Sequence, residues 1–290
     1  MLRVAVTLAL LSAGCAPQEG TAPRGAGALF DPGLDGGFTS FPWPSDTRLT
    51  EDGAPDMSTF PAGDEGGLLA TYTDAVELMV QGFGTNPLIQ VRFDGDLDPT
   101  AWPAPTQTWR LDSPVFLMNI DRDSPRYQTL VPVQLHWEAE ERVYVAPRTL
   151  SAVPAVGFPL NPLTTYGFVI TDELRDAEGR LLALPRALQQ ALAGTGDPDL
   201  AEVFAPLADA LVGVGIPRST VAAATVFTTG DPTAELREIR DWVRDPDHTE
   251  TPAIDSLNTW VNDDQYPFAT IYLGSYLTPI FQRGAPPFAT

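Results

Sequence analysis

The stretch PLNPLTTYGFVITDELRDAEGRLL, residues 159–182, carries the strongest structural signal in the chain. Residues 165–171 are rich in β-branched and aromatic side chains, a composition that predicts a β-strand. Tyr166 and Phe168 are two residues apart, so both point to the same side of that strand and are expected to face a core. Gly179 supplies a tight turn before the chain returns through two leucines. The segment therefore predicts a strand and a turn that close a β-domain.

Other short strands are predicted around this one. Ile89, Val91 and Phe93 alternate along a first strand, and residues 115–120 form a near-continuous apolar run. Residues 142–146 are expected to form a hairpin with a strand whose inward side chains are Val131, Val133, Leu135 and Trp137. Short strands at this spacing predict an α+β fold, namely an antiparallel immunoglobulin-like β-sandwich with inserted or appended helices.

Helical periodicity occurs on both sides of the predicted strands. A first amphipathic helix is predicted from the spacing of Leu68, Leu69, Tyr72, Val76, Met79 and Val80. A helix is expected to start at Pro185, and a second one, over residues 199–212, is expected to kink or break near Pro206. After a strand at residues 221–229, Asp231 is expected to cap a further helix with Pro232 at its first position.

The N-terminus has the layout of a bacterial lipoprotein export signal. Arg3 precedes an apolar run, residues 4–11, that is too short to span a bilayer, and three small residues then lead to Cys15, the only cysteine. This arrangement resembles a lipobox, which implies acylation of Cys15 and attachment to a membrane through the lipid. The alternative is an ordinary secreted protein with an incidental cysteine. Ala16 differs from the Asp that resembles an inner-membrane retention signal, which favours the outer membrane.

These signals divide the chain into five parts. We predict a signal peptide (1–15), a flexible Pro/Gly-rich tether (16–28), an extended arm with a helix and the β-sandwich (29–184), a helical segment with a returning strand (185–268), and a β segment (269–290).

Composition excludes several partners. The chain has 17 basic and 38 acidic residues and a net charge of −21, and all its basic residues are arginine. Such a charge repels phosphate backbones and anionic lipid headgroups, so we expect no nucleic-acid binding and no membrane contact other than the lipid anchor.

Several segments together resemble the N-terminal region of bacterial extracellular lipases of the virulence-factor type. The resemblance rests on residues 41–58 (FPWPSDTRLTEDGAPDMS), 115–125 (VFLMNIDRDSP), 159–182 and 226–243 (VFTTGDPTAELREIRDWV). In that family a sandwich-like domain precedes an α/β-hydrolase domain, so residues 269–290 resemble the entry to a hydrolase domain that this chain lacks. The resemblance also implies a Gram-negative cell.

The chain contains no nucleophile motif of that family. Such a hydrolase needs G-x-S-x-G, and Ser275 in LGSYL comes nearest but lacks both required glycine positions, so we interpret it as a strand serine. His136 is expected to be a solvated residue on the outer side of its strand. His248 falls in the polar loop RDPDHTE, which is expected to be exposed and is at most a weak metal or acid–base site. No catalytic residue is assigned.

Two acidic clusters are weak calcium candidates. Asp94, Asp96 and Asp98 alternate as in a calcium loop, but Pro99 and Pro105 stand where an EF-hand needs Gly and Glu. Asp121 and Asp123 form a second pair; turn formation is the default interpretation of both clusters. No cofactor is predicted.

Three functions remain open. The first hypothesis is a noncatalytic surface lipoprotein that presents or positions a hydrolase module, or binds an apolar or polymeric ligand. The second is an active ester hydrolase with an unrecognised site. The third is a structural or adhesive envelope protein.

Overall fold

The computed structural model describes residues 24–61, 67–247, 253–260, 268–277 and 281. The predicted signal, Cys15 and His248 lie outside these residues. Within the described ranges, no helix combines the length and the apolarity that crossing a bilayer requires.

The chain has an α+β fold, with helices and antiparallel sheets. The helices are α1 (Leu68–Met79), α2 (Arg186–Leu192), α3 (Pro198–Gly213) and α4 (Ala234–Arg244). The strands are β1 (Ile89–Arg92), β2 (Val115–Asn119), β3 (Leu130–Val131), β4 (Val133–Glu138), β5 (Thr149–Pro154), β6 (Thr165–Thr171), β7 (Val221–Thr228), β8 (Ala253–Trp260) and β9 (Ile271–Leu277). Short 3-10 helices occur at Phe38–Ser40, Asp46–Arg48, Pro99–Ala101 and Arg218–Thr220.

The strands form three antiparallel sheets. One has the order β1-β5-β4, the second β3-β2-β6-β7, and the third consists of β8 and β9 alone. Only Pro132 separates β3 from β4, so one run of the chain passes from the second sheet into the first. Proline cannot donate to a sheet ladder, and its position explains why the ladder is interrupted there.

The first two sheets face each other across one core. Val91 and Leu150 from the first sheet share a hydrophobic cluster with Leu117, Phe168 and Phe227 from the second. The predicted inward direction of Phe168, and that of Tyr166 beside it, is therefore confirmed.

Helices α2 and α3 cover the other side of the second sheet. Phe116 and Val169 belong to a second cluster with Leu188, Phe204 and Leu207 of these helices. All five residues of β2 are buried because one face meets the first sheet and the other meets the helices. This three-layer arrangement explains the continuous apolar run over residues 115–120.

An N-terminal arm is bound along the edge of β1. Leu29 N donates to Arg92 O at 2.8 Å, and the backbones of Trp43 and Gln90 exchange two hydrogen bonds. The predicted tether is wrong for residues 24–28, because Gly27 forms a bridge with Ala183 and Ala28 forms one with Phe93. Small side chains there permit close packing against the sheet rather than mobility.

The predicted hairpin partner of β4 is wrong. Residues 142–146 form no strand; a turn closes where Arg142 N donates to Val145 O at 2.9 Å. The partner is β5, in which Ser151 lies opposite His136. The intervening loop is longer than predicted, since β5 begins only at Thr149.

Two helix predictions also need correction. Helix α3 runs without a break through Pro206, which costs one backbone hydrogen bond but leaves Phe204 and Leu207 packed on the sheet. Helix α4 begins at Ala234, later than predicted. The Asp231 carboxylate accepts a hydrogen bond from Thr233 N at 3.0 Å, so Asp231 forms a turn before the helix.

Candidate apolar docking site

Helix α1 exposes the apolar stripe that its sequence predicts. Met79 is 78% exposed and Tyr72 is 62% exposed, whereas Leu69 and Val76 of the stripe are half-buried. Apolar side chains at three- and four-residue spacing normally cover a core. Here the stripe lies open to solvent.

A groove of about 780 Å³ lies between the end of α1 and the start of α4. Its volume falls within the usual range for ligand and partner sites. The lining is mostly apolar, and its apolar side chains are those of Leu49, Met79, Val80, Phe83, Leu163, Pro232 and Ala234. We call this feature the apolar groove.

Backbone pairing beside β7 builds the wall of the apolar groove. Phe83 N donates to Thr228 O at 2.9 Å, and Gly230 N donates to Phe83 O at 2.7 Å. A side chain at Gly230 would place its Cβ 1.8 Å from Gln81 O, so glycine is required at this approach. The Phe83 ring is buried and lies edge-on to Trp43 and Phe227. The wall is therefore continuous with the core between the sheets.

A carboxylate is held at the base of this wall. Asp46 accepts hydrogen bonds from Thr228 N and Thr228 Oγ1, both at 2.7 Å. Burial raises the pKa of Asp46, and the two Thr228 hydrogen bonds offset this only in part. The hydroxyls of Thr228 and Thr165 lie 2.9 Å apart, so the carboxylate orders the end of two neighbouring strands.

The rim of the apolar groove is acidic. Asp231 and Glu235 line it, and Asp231 forms an ion pair with Arg237. The hydrogen bond from Arg237, together with those from Thr233, holds the pKa of Asp231 far below its usual range. The charge of Asp231 is therefore compensated within the chain by Arg237.

Helix α4 extends the exposed surface. None of its residues is buried, and Leu236 is two-thirds exposed. Near its end, the ring of Trp242 lies edge-on to Phe281, with 5.1 Å between the centroids. We call α1, the apolar groove and α4 together the apolar face.

The candidate nucleophile and bases are not brought together in the described residues. Ser275 lies in β9, where its hydroxyl donates to Asp255 Oδ2 at 3.1 Å and is 2.8 Å from Ser256 Oγ. No histidine is among the hydrogen-bond partners that the described structure gives Ser275. His136 is exposed on β4, as predicted, and His248 is outside the described residues.

The calcium candidates are turn residues with separate partners. Asp94 accepts from Gly27 N, Asp96 pairs with Arg148, and Asp98 accepts from Thr100 N and Thr100 Oγ1. In the described part of the chain, no group of three or more acidic, histidine or cysteine residues is placed to hold a metal ion.

Asp121 and Asp123 likewise form a turn. The Asp121 carboxylate accepts from Asp123 N at 2.9 Å. One carboxylate is thus used to hold the backbone of the other residue, as expected of an aspartate in a turn.

Sequence reasoning missed a buried cation in the arm. Arg48 is 4% exposed; its guanidinium lies 3.9 Å from the centroid of Phe38 and 4.7 Å from that of Trp43. It donates to Phe38 O at 3.0 Å, while its Nε has no partner among the residues that the structure describes. Burial lowers the pKa of Arg48 to about 10, an effect that Asp56 opposes. The arm segment FTSFPWPSDTR contains aromatic residues and one arginine, a combination that could have indicated a cation–π contact.

The sequence matches no protein-family model and no curated protein.

Proposed function

We propose that this chain is a noncatalytic envelope lipoprotein, anchored through Cys15, that binds a hydrolase module of a partner protein on its apolar face. The observation that carries the proposal is the solvent exposure of apolar side chains on α1, next to the apolar groove. Contiguous exposed apolar surface of this kind usually marks an interaction site.

The charge of the chain limits which molecules could bind to the apolar face. The net charge of −21 disfavours an anionic membrane surface and disfavours a second copy of the same chain. The carboxylate of Glu235 on the rim fits a protein with a cationic residue beside an apolar patch. The resemblance to the N-terminal region of lipases supports a hydrolase as that protein.

The noncatalytic part of the proposal is supported by the surroundings of Ser275. A serine nucleophile needs a base within hydrogen-bond reach and donors for the oxyanion. In the described structure Ser275 contacts a carboxylate and another hydroxyl, and neither can act as the histidine of a triad.

We further propose that the β region is a variant of the immunoglobulin-like sandwich on the outer membrane of a Gram-negative cell. Two antiparallel sheets around one core support this assignment. The strand order differs from that of constant-type immunoglobulin domains, because β2 pairs with β3 and β6. In constant-type immunoglobulin domains the second strand belongs to the opposite sheet.

Photo-crosslinking in the native cell tests the docking function. A benzoylphenylalanine at Leu78 in α1 is expected to yield one heterologous adduct, and that adduct is expected to react with a fluorophosphonate probe. The chain alone is expected to remain unlabelled. The matched control is the same photoreactive residue at Val143, which is 83% exposed but lies in the loop between β4 and β5.

Each result decides the proposal. An adduct without fluorophosphonate reactivity would contradict a hydrolase partner. Labelling of the chain itself would contradict the noncatalytic assignment. Equal adducts from Leu78 and Val143 would remove the special role of the apolar face. For the anchor, alkyne-palmitate incorporation is expected in the wild type and not in Cys15→Ser.

A further inference from the structure

The N-terminal arm crosses the sandwich from one end to the other. Arg24 lies at the first end, where its guanidinium donates to Asp172 Oδ2 at 2.8 Å and to Leu182 O at 2.7 Å. Leu49 lies at the second end, in the lining of the apolar groove. Between them the arm makes contacts in chain order, at Leu29 with Arg92, at Trp43 with Gln90 and at Asp46 with Thr228.

Strand β6 gives the distance between the two ends. In the register of β6 with β7, Thr165 pairs with Thr228, which lines the apolar groove. Asp172, the partner of Arg24, directly follows the other end of β6. The seven residues of β6 span about 20 Å at the usual rise of a strand. The arm therefore enters the fold at the end of the second sheet that lies opposite the apolar groove.

Three carboxylates hold the arm where it enters. The ion pair between Arg24 and Asp172 joins the arm to the end of β6, and the Asp172 side chain is 9% exposed. The other two carboxylates accept hydrogen bonds from consecutive backbone amides, Asp176 from Ala26 N at 3.3 Å and Asp94 from Gly27 N at 2.7 Å. We call the end of the sandwich that contains these three carboxylates the entry end. A pull on the N-terminus acts on the body of the protein there.

We propose that the lipid-anchored protein is oriented with its entry end toward the membrane and its apolar groove away from it, so that the groove receives a water-soluble partner module. This inference rests on the proposed anchor at Cys15 and specifies the side from which the partner binds. Arg24 follows Cys15 by nine residues, which at full extension reach about 30 Å. A flexible linker of this length has an r.m.s. extension of about 17 Å. The linker is thus shorter, on average, than β6.

The opposite orientation is disfavoured by the same lengths. With the apolar groove at the headgroups, the entry end would lie at least about 20 Å from them, beyond the r.m.s. extension of the linker. Holding the linker extended costs conformational entropy. A chain of net charge −21 is also repelled when it lies along an anionic surface. The membrane itself is therefore the less suitable occupant of the apolar groove.

Energy transfer from the protein to labelled lipids tests the orientation. The acylated chain is bound to phosphatidylcholine vesicles that carry rhodamine on a small fraction of their headgroups. A fluorescent donor is attached to Glu178→Cys at the entry end or to Glu235→Cys at the apolar groove; both residues are exposed, and both substitutions remove one negative charge. Transfer is expected to be about twofold more efficient from residue 178, because residue 235 lies about 20 Å farther from the headgroups.

A longer linker is the matched control. Twenty Gly/Ser residues inserted between residues 18 and 19 leave the described residues unchanged and give a flexible linker an r.m.s. extension of about 30 Å. The ratio of the two transfer efficiencies is expected to fall toward one, because this linker is longer than β6. An unchanged ratio would mean that direct contact between protein and bilayer sets the orientation, which contradicts the linker as its cause.

The outcomes separate this inference from the proposed function. Equal transfer from the two positions, or stronger transfer from residue 235, overturns the orientation and leaves the lipid anchor standing. Equal vesicle binding by the wild type and Cys15→Ser overturns the anchor, and the orientation with it. Glu173→Cys at the entry end and Leu163→Cys at the groove, both exposed, repeat the comparison if a labelled variant fails to fold.

Discussion

Strands β7 and β9 are alike in lacking charged residues and proline, but they differ in how far their residues are buried. The sequence of β7 is VAAATVFT and that of β9 is IYLGSYL, and both are uncharged and without proline. Seven of the eight residues of β7 are buried between the first sheet and α3, whereas six of the seven residues of β9 are exposed. Composition therefore specifies that each segment is a strand, while the layers around the strand decide whether it contributes to the stability of this chain.

The same contrast holds for two helices. In α3 the apolar stripe is buried, with Phe204 and Leu207 in the cluster that covers the second sheet. In α1 an equally regular stripe is exposed at Leu68, Tyr72 and Met79 and only half-buried at Leu69 and Val76. The core between the sheets and the exposed elements are thus two regions that differ in burial, and the proposed binding function concerns the second.

The largest expected effect distinguishes β6 from β9. Phe168→Ala removes a fully buried ring from the core between the sheets and is expected to lower the free energy of unfolding by about 4 kcal/mol. Tyr272→Ala removes an exposed ring from β9 and is expected to change it by less than about 0.5 kcal/mol. Urea unfolding followed by tryptophan fluorescence measures both. Similar losses in the two variants would mean that β9 belongs to the cooperative core.

The second effect concerns a buried acid that attaches the arm to the sheet. The Asp176 side chain is fully buried and accepts from Ala26 N, Arg180 N and Arg180 Nε. Burial raises the pKa of Asp176, but the hydrogen bonds and charge of Arg180 outweigh this and lower it overall. Asp176→Asn weakens the hydrogen bonds that this buried carboxylate accepts, while Arg180 stays half exposed, and is expected to cost about 2 kcal/mol of unfolding free energy.

The matched control for Asp176 lies in the exposed region. Asp241 pairs with Arg240 on the surface of α4, so Asp241→Asn is expected to leave the free energy of unfolding unchanged within about 0.5 kcal/mol. An equal loss in both variants would contradict the division of the molecule into a buried region and an exposed region.

Strand and helix types were predictable from sequence where periodicity and composition agreed. Residues 165–171 and 221–228 are strands as predicted, and the positive φ of 75° at Gly179 confirms its turn. These features depend on local chemistry, namely β-branched residues and the conformational freedom of glycine, which a single sequence carries.

Tertiary neighbours were not predictable from the same signals. The exposed stripe of α1 has the periodicity of a buried one, so its role could be seen only in the structure. Residues 142–146 alternate like a strand, yet β5 pairs with β4 instead. The apolar groove joins residues 49, 83 and 230, which are far apart in the chain, so no local motif could have indicated it.

A third comparison uses two glycines in strands. A Cβ at Gly167 in β6 would lie 2.7 Å from Leu207 Cδ1, so Gly167→Ala is expected to displace the Leu207 side chain within the core and cost about 1 kcal/mol of unfolding free energy. A Cβ at Gly274 in β9 would lie 2.5 Å from Ser256 O. Gly274→Ala is expected to increase amide exchange in the hairpin without changing global unfolding. A global loss from Gly274→Ala would place the hairpin in the core region.

The smallest expected effect is a pH dependence at the junction between the two regions, where Asp46 supports Thr228. Because burial raises the pKa of Asp46 above its ordinary 3.8, its contribution to stability is fully present below that value and is lost as pH rises through the folded pKa. Asp46→Asn keeps an acceptor for Thr228 N but has no such titration. The stability of this variant relative to the wild type is therefore expected to increase as pH rises from about 3.5 to 7. Urea titrations at each pH measure the difference in unfolding free energy between Asp46→Asn and the wild type. The contributions of the other carboxylates are the same in both proteins and cancel in this difference. A difference that is constant or decreases with pH would mean that the ionised Asp46 is stabilised by Thr228 more than burial disfavours it.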